Sequence, residues 1–191
     1  MDPSDEELMQ QLAADKLSAA AELFRRYRDP IFGYLYRRCL GDRQLAEDIL
    51  QDCFERVIKY RSGFRSGHTF RSWVYTIARN CHQDRLKRQQ KRSEMESDAA
   101  FVLPSLLTAG RQAQVGNDSL NRMIAEEEAD HRREAWKALP NKYREVVDLA
   151  WNRGLKYAEI AEVLGLSVAN VKVRMHRACQ QLRANYHQIE S

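Results

Sequence analysis

Three groups of residues in this chain have types and spacings that could do chemistry, and in each the chemistry is binding. The first lies near the C-terminus, where Ala169, Asn170, Val173, His176, Arg177 and Gln180 recur on one face at helical spacing, with Lys172 and Arg174 on its shoulders. Ser167 stands at the start of that segment and joins the candidates. A short, polar, cationic helix face is what the major groove of duplex DNA admits. The second group mixes cations with rings and amides: Phe64, Arg65, His68, Tyr75, Arg79, Asn80 and Gln83. Aromatic faces can stack unpaired bases while Lys and Arg hold phosphates, so this group suits a single strand. A polar pocket near Asn80 could read the edge of an unstacked base. The third group, Asp48, Gln51, Asp52 and Glu55, falls at i, i+3, i+4 and i+7 and makes one acidic stripe. Such a stripe repels phosphate; it is either a solvated face or a docking surface for a basic protein helix.

The elements that must carry these groups are helices. In the last forty residues, Ile160 and Leu164 share one face of a short helix and Ala161 leaves room for a close helix crossing. Gly165 ends that helix in a conformation glycine adopts at little cost, and Ser167 caps the next. Val168, Val171, Met175, Ala178 and Leu182 then form an apolar stripe, and together these features make a helix–turn–helix. Upstream, the spacing predicts helices over 5–14, 17–40, 43–60 and 68–90, with Pro30 bending or interrupting the second. Inward positions are Leu23, Phe24, Tyr27, Ile31, Leu35 and Cys39; then Ile49, Leu50, Phe54, Val57 and Ile58; then Phe70, Trp73, Val74, Ile77 and Cys81. Ser72, Thr76, Arg79 and Gln83 form the outward stripe of the fourth helix. Residues 91–118 lose the pattern and read as a linker. Helices over 119–138, with Met123 and Trp136 inward, and over 141–152, with Tyr143, Val146, Val147 and Trp151 inward, lead into the helix–turn–helix. The expectation is an all-α chain of two small helical domains, 1–90 and 119–191.

Composition narrows the functional classes. The chain has 191 residues and a net charge of +4, but its charge is uneven. Residues 61–92 hold nine Lys and Arg against one acid, Asp84, whereas the first 22 residues hold six acids and one Lys. That distribution suggests a local polyanion site. Cys39, Cys53, Cys81 and Cys179 are isolated and lack metal-ligand spacing, as expected of reduced thiols. There is no apolar run of membrane-spanning length and no signal-peptide core at the N-terminus, which points to a soluble cytoplasmic protein. No catalytic constellation, Gly-rich phosphate loop or cofactor motif stands out. His131 beside Glu126, Glu127, Glu128 and Asp130 reads as an acidic solvated helix rather than a metal site.

Two stretches carry a family resemblance. Asp48-Ile-Leu-Gln-Asp-Cys-Phe54 followed by Phe70-Arg-Ser-Trp-Val-Tyr-Thr-Ile-Ala-Arg-Asn-Cys-His-Gln-Asp-Arg-Leu-Lys87 is similar to region 2 of the extracytoplasmic-function (ECF) sigma factors. Leu139-Pro-Asn-Lys-Tyr-Arg-Glu-Val-Val-Asp-Leu149 with the helix–turn–helix resembles their region 4. The resemblance covers about 20–90 and 130–186, in order. It implies a promoter-specificity subunit of bacterial core RNA polymerase, with the β′ coiled coil and the β flap as docking partners. It also implies contacts to promoter DNA, both duplex and melted strand, and admits an anti-sigma factor. By this resemblance Asp48, Gln51 and Asp52, with Glu55, would dock on polymerase; the family usually has Glu where Asp52 stands. The 61–70 loop with Arg79, Asn80 and Gln83 would take the −10 element. Asn170, Lys172, Val173, Arg174, His176 and Arg177 would read the −35 element.

Two other classes compete with this reading. A stand-alone helix–turn–helix regulator would dimerise on duplex operators without polymerase. An anti-sigma or adaptor protein would bind proteins alone. The basic–aromatic helix and the acidic stripe argue against the first, and the cationic C-terminal face against the second.

Overall fold

In the computed structural model, residues 2–65, 67–97 and 133–189 are described, and their regular structure is helical, with no strand among them. The chain divides into two compact units, one built mainly on the described residues up to Ser97 and one mainly on those from Arg133 onward. The expected linker from residue 98 onward, the first part of the helix expected over 119–138 with its Met123, and His131 with its acids lie outside the described residues.

The first unit contains α1 (Asp5–Ala13), α2 (Ser18–Arg38), α3 (Arg43–Lys59), a 3₁₀ turn (Arg61–Gly63) and α4 (Phe70–Ser97). Ser4 and Glu7 form a reciprocal capping box that starts α1, which satisfies two amides otherwise left open. Leu40 and Gly41, at φ +56° and +91°, reverse the chain after α2. Asp42 then caps α3, its Oδ1 accepting from the Leu45 amide at 3.0 Å.

Aromatic edge-to-face pairs knit the core. Phe24 meets Phe54 at 4.8 Å, Tyr27 meets Phe70 at 4.9 Å, and Tyr34 meets Tyr75 at 5.3 Å. Each such pair adds about 0.5–1.5 kcal/mol to what its burial contributes. Leu23, Ile31, Leu35, Ile49, Val57 and Val74 fill the remaining space and are almost wholly buried.

Three thiols lie in this core. Burial pushes the Cys39 thiol up to about 11. The Cys53 thiol donates to the Cys81 sulfur, which raises Cys53 and lowers Cys81. His82 Nε2 lies 3.2 Å from the Arg38 carbonyl oxygen, so Nε2 carries the proton in that contact.

Several expectations need correction here. Pro30 does not interrupt α2, which runs through it. The ring removes one bond to the Arg26 carbonyl, but Leu23, Ile31, Tyr34 and Leu35 are buried on both sides of the site and hold the helix. Ile58 is 39% exposed and Phe24 40%; both sit at the rim of the apolar stripe, where a helix turns toward solvent. The fourth helix also continues past residue 90, to Ser97.

In the second unit, a helical segment over 133–138 precedes α5 (Asn141–Val147), a wide π-type turn (Asp148–Asn152), α6 (Tyr157–Leu164) and α7 (Val168–Ile189). Tyr143, Val146, Val147 and Leu149 are buried on α5 and the wide turn. Trp151, expected inward, is 62% exposed. The chain turns at Gly154, φ +61°, and the Leu155 amide donates back to the Leu149 carbonyl at 3.0 Å. That reversal buries Leu155, which closes the core in place of the tryptophan. At the far end, Asn185 donates to the Ala135 carbonyl at 3.2 Å and ties α7 to the 133–138 segment.

Candidate functional site

The C-terminal face is built by local caps. Lys156 starts α6, its amide donating to Glu159 Oε2 at 2.8 Å. Gly165 ends the helix at φ +65°, and the Leu166 amide reaches back to the Ala161 carbonyl at 2.9 Å. Ser167 Oγ then accepts from the Asn170 amide at 3.2 Å and starts α7. Ile160, Ala161 and Leu164 are buried, as are Val171, Met175 and Ala178 on α7. Val168, expected in that apolar stripe, is 40% exposed. It occupies the first helical position, ahead of the turn where the stripe meets its neighbours.

Ser167, Ala169, Asn170, Lys172, Val173, His176, Arg177 and Gln180 are exposed and Arg174 half-exposed. The candidate contacts therefore sit on the accessible side of a helix whose other side is fixed in a core. Side chains so placed can reach groove edges and phosphates without reorganising the fold.

The basic–aromatic surface forms around the start of α4. Thr69 Oγ1 accepts from the Ser72 amide at 3.1 Å and caps that helix. Phe64 stands edge-on to Trp73 at 5.5 Å and to Phe70 at 6.5 Å, so its ring is half-buried rather than free. Arg65, His68 and Asn80 are exposed, and Arg79 and Gln83 half-exposed.

Tyr75 does not belong to this surface. It is 1% exposed, with its ring against Tyr34; its helical position turns it toward α2 rather than toward the loop. Ser72, placed on the outward stripe by spacing, is also buried. Thr76 donates to the Ser72 carbonyl at 2.8 Å, so its hydroxyl is engaged with the helix itself.

Sequence reasoning missed Tyr60. Its ring is 52% exposed at the entrance to the loop, and Lys59 Nζ lies 5.5 Å from the ring centroid. A cation over an open aromatic face suits a stacked base beside a phosphate. The adjacent Lys59-Tyr60-Arg61 was the signal available.

The acidic stripe lies along α3. Gln51 and Glu55 are exposed, and Asp48 and Asp52 half-exposed. Gln44 donates to Asp48 at 3.1 Å and Gln51 to Glu55 at 2.9 Å. Two cross-links join α3 to α4: Arg56 to Asp84 at 2.8 Å, and Arg85 to Asp48 at 3.6 Å. The stripe is thus held straight by amide–carboxylate pairs one turn apart. Its four polar groups face outward over Ile49, Leu50, Cys53 and Phe54, which are buried.

No group of three or more metal-ligating side chains occurs among the described residues. No helix among them is long and apolar enough to cross a membrane.

Comparison with known proteins agrees with this arrangement. Residues 23–92 match the family model for Sigma-70 region 2, and residues 133–182 that for Sigma-70 region 4. The chain is 32% identical over 168 residues to the ECF RNA polymerase sigma factor SigW of Bacillus subtilis, an alignment covering 86% of this chain and 87% of that one. Among solved structures it resembles CnrH in complex with the cytosolic domain of CnrY, with a TM-score of 0.64 and 24% identity over 95% of this chain and 96% of that one. It also resembles the sigma factor RpoE in complex with the anti-sigma factor NepR from Bartonella quintana, with a TM-score of 0.56 and 22% identity over 85% and 95% of the two chains. The structural matches establish the fold.

Proposed function

The chain belongs to the ECF family of RNA polymerase sigma factors, and from that premise we propose how its surfaces divide the work. It directs RNA polymerase to promoters and starts transcription, so the stand-alone regulator falls away. The acidic stripe, Asp48, Gln51, Asp52 and Glu55, docks on the basic coiled coil of core polymerase. Phe64, Arg65 and His68, with Asn80, Arg79 and Gln83, take the −10 strand once it leaves the duplex. Ser167, Asn170, Lys172, Val173, Arg174, His176 and Arg177 read the −35 element as duplex, and the second unit meets the β flap. We count an anti-sigma protein among its partners, the class named for the Bartonella quintana structure. It works in the cytoplasm and acts by binding alone.

The supporting observation is the α7 face: exposed polar and cationic groups directly opposite the buried Val171, Met175 and Ala178. A base released from its stack costs a few kcal/mol, which loop and pocket contacts must offset. Tethering by polymerase supplies the effective concentration that weak separate contacts lack.

The test is transcription by purified core polymerase with this chain on a randomised promoter library. Start-site selectivity that appears only when the chain is added supports the reading. Absence of any stable complex with core polymerase would end it.

A further inference from the structure

Both ends of the loop between α3 and α4 are tied to α1 or to the turn that follows it. At the entrance, Arg61 Nη2 and Nε donate to Asp15 Oδ1 at 2.5 and 3.2 Å, while its Nη1 donates to the Ile58 carbonyl at 2.9 Å. At the exit, the Phe70 amide donates to Glu6 Oε1 at 3.1 Å. An unsatisfied amide at a helix start favours a carboxylate, so this contact suits the first turn of α4.

Helix α1 is itself anchored from behind. Arg26 donates to Asp5 Oδ1 at 2.8 Å and to the Pro3 carbonyl at 2.9 Å, and the Tyr27 hydroxyl donates to Asp5. Leu8, Met9 and Leu12 are buried beneath it. A fixed helix and its following turn, holding one end of a loop each, limit where the residues between them can go.

The backbone at Asp15 supplies a second, independent sign. Asp15 stands at φ +63°, just past the end of α1, where the Lys16 amide closes on the Gln11 carbonyl at 3.0 Å. Glycine makes this left-handed turn at less cost than any residue with a Cβ. What aspartate adds is a carboxylate, and that carboxylate meets Arg61.

We propose that α1 and the turn that follows it form a two-point clamp on the loop, with Asp15 and Glu6 as positioning residues. They set the span over which Phe64, Arg65 and His68 meet the melted strand. The inference rests on the reading of that loop as the strand-capture surface. The Asp15–Arg61 end is exposed, so salt screens it. The Glu6–Phe70 end is part-buried and is the firmer of the two.

Holoenzyme reconstituted with the full chain separates these roles. The readouts are affinity for a single-stranded oligonucleotide carrying the −10 sequence, affinity for a duplex −35 fragment, and thermal midpoint of the free chain. Glu6→Ala should weaken single-strand binding about five- to tenfold and Asp15→Gly about two- to threefold, and both should leave duplex −35 binding unchanged. Glu6→Gln keeps an acceptor oxygen and should restore most of the loss. Asp15→Gly should not lower the thermal midpoint, because glycine suits the turn; a merely structural Asp15 would then leave strand binding intact. Asn80→Ala serves as the control. If it weakens strand binding while Asp15→Gly and Glu6→Ala do not, the clamp is refuted and the strand-capture reading stands. If Asn80→Ala and Phe64→Ala also have no effect, both readings fail together.

Discussion

Asp48 accepts from Gln44 and faces Arg85 at 3.6 Å, so reversing its charge would set two cations side by side. Asp52 senses Arg56 one turn away only through its field, without a hydrogen bond to lose, and is the milder probe of polymerase docking. Asp52→Lys should weaken binding to core polymerase by about tenfold with an unchanged circular-dichroism spectrum, measured by titration of labelled chain with core. Unaltered affinity would remove the stripe from the interface. Glu22 offers a pH test. Hydrogen bonds from Arg25, then Arg26, hold its carboxyl down at about 2, against an ordinary 4.5. A depressed carboxyl pKa favours the folded state above the ordinary value, and the benefit disappears as pH falls from about 4.5 toward 2. An NMR titration of the Glu22 side chain should show a midpoint near 2; a midpoint near 4.5 would mean the two arginines do not hold it. At this scale the exposure of Asn80 and Arg65 was legible, because polar side chains at helical and loop positions are easily assigned outward. Tyr75 was not: a tyrosine has an apolar body and a polar tip, and nothing in its own segment shows that Tyr34 waits across the core.

Among the elements, the helix–turn–helix was read most fully in advance, because its signals are local. Gly165, Ser167 and the Val171–Met175–Ala178 spacing each act within a few residues. A Cβ added at Gly165 meets nothing within 4 Å, so only the left-handed backbone opposes a side chain there. Gly165→Ala should therefore cost about 1 kcal/mol, seen as a lower thermal midpoint with a normal spectrum. A larger loss would indicate a hidden clash. Elements whose form depends on distant packing were less legible. Periodicity gave a helix up to residue 152 but no sign that its end widens and that Leu155 folds back in place of Trp151. Pro30 reads as a break until the burial on either side of it is known. The ties from Asp15 and Glu6 to the loop join residues 46 and 64 positions apart, beyond the reach of any local pattern.

On the scale of the molecule, the separate DNA tasks proposed for the two units predict weak promoter binding by the free chain and tight binding by the holoenzyme. Gel-shift titration at several salt concentrations checks this, since contacts to phosphate steepen the salt dependence in proportion to their number. Tight, sequence-specific binding by the chain alone would contradict the division of labour. The cysteines follow the same partition. Cys39, Cys53 and Cys81 are shut inside the first unit, and only Cys179, in the second, is partly open. Given a disulfide reagent at mildly alkaline pH, one sulfur should react at once and three should wait for the first unit to unfold. The chain thus carries its own stopwatch: without any added label, slow colour development times the breathing of one half while the other has already reported.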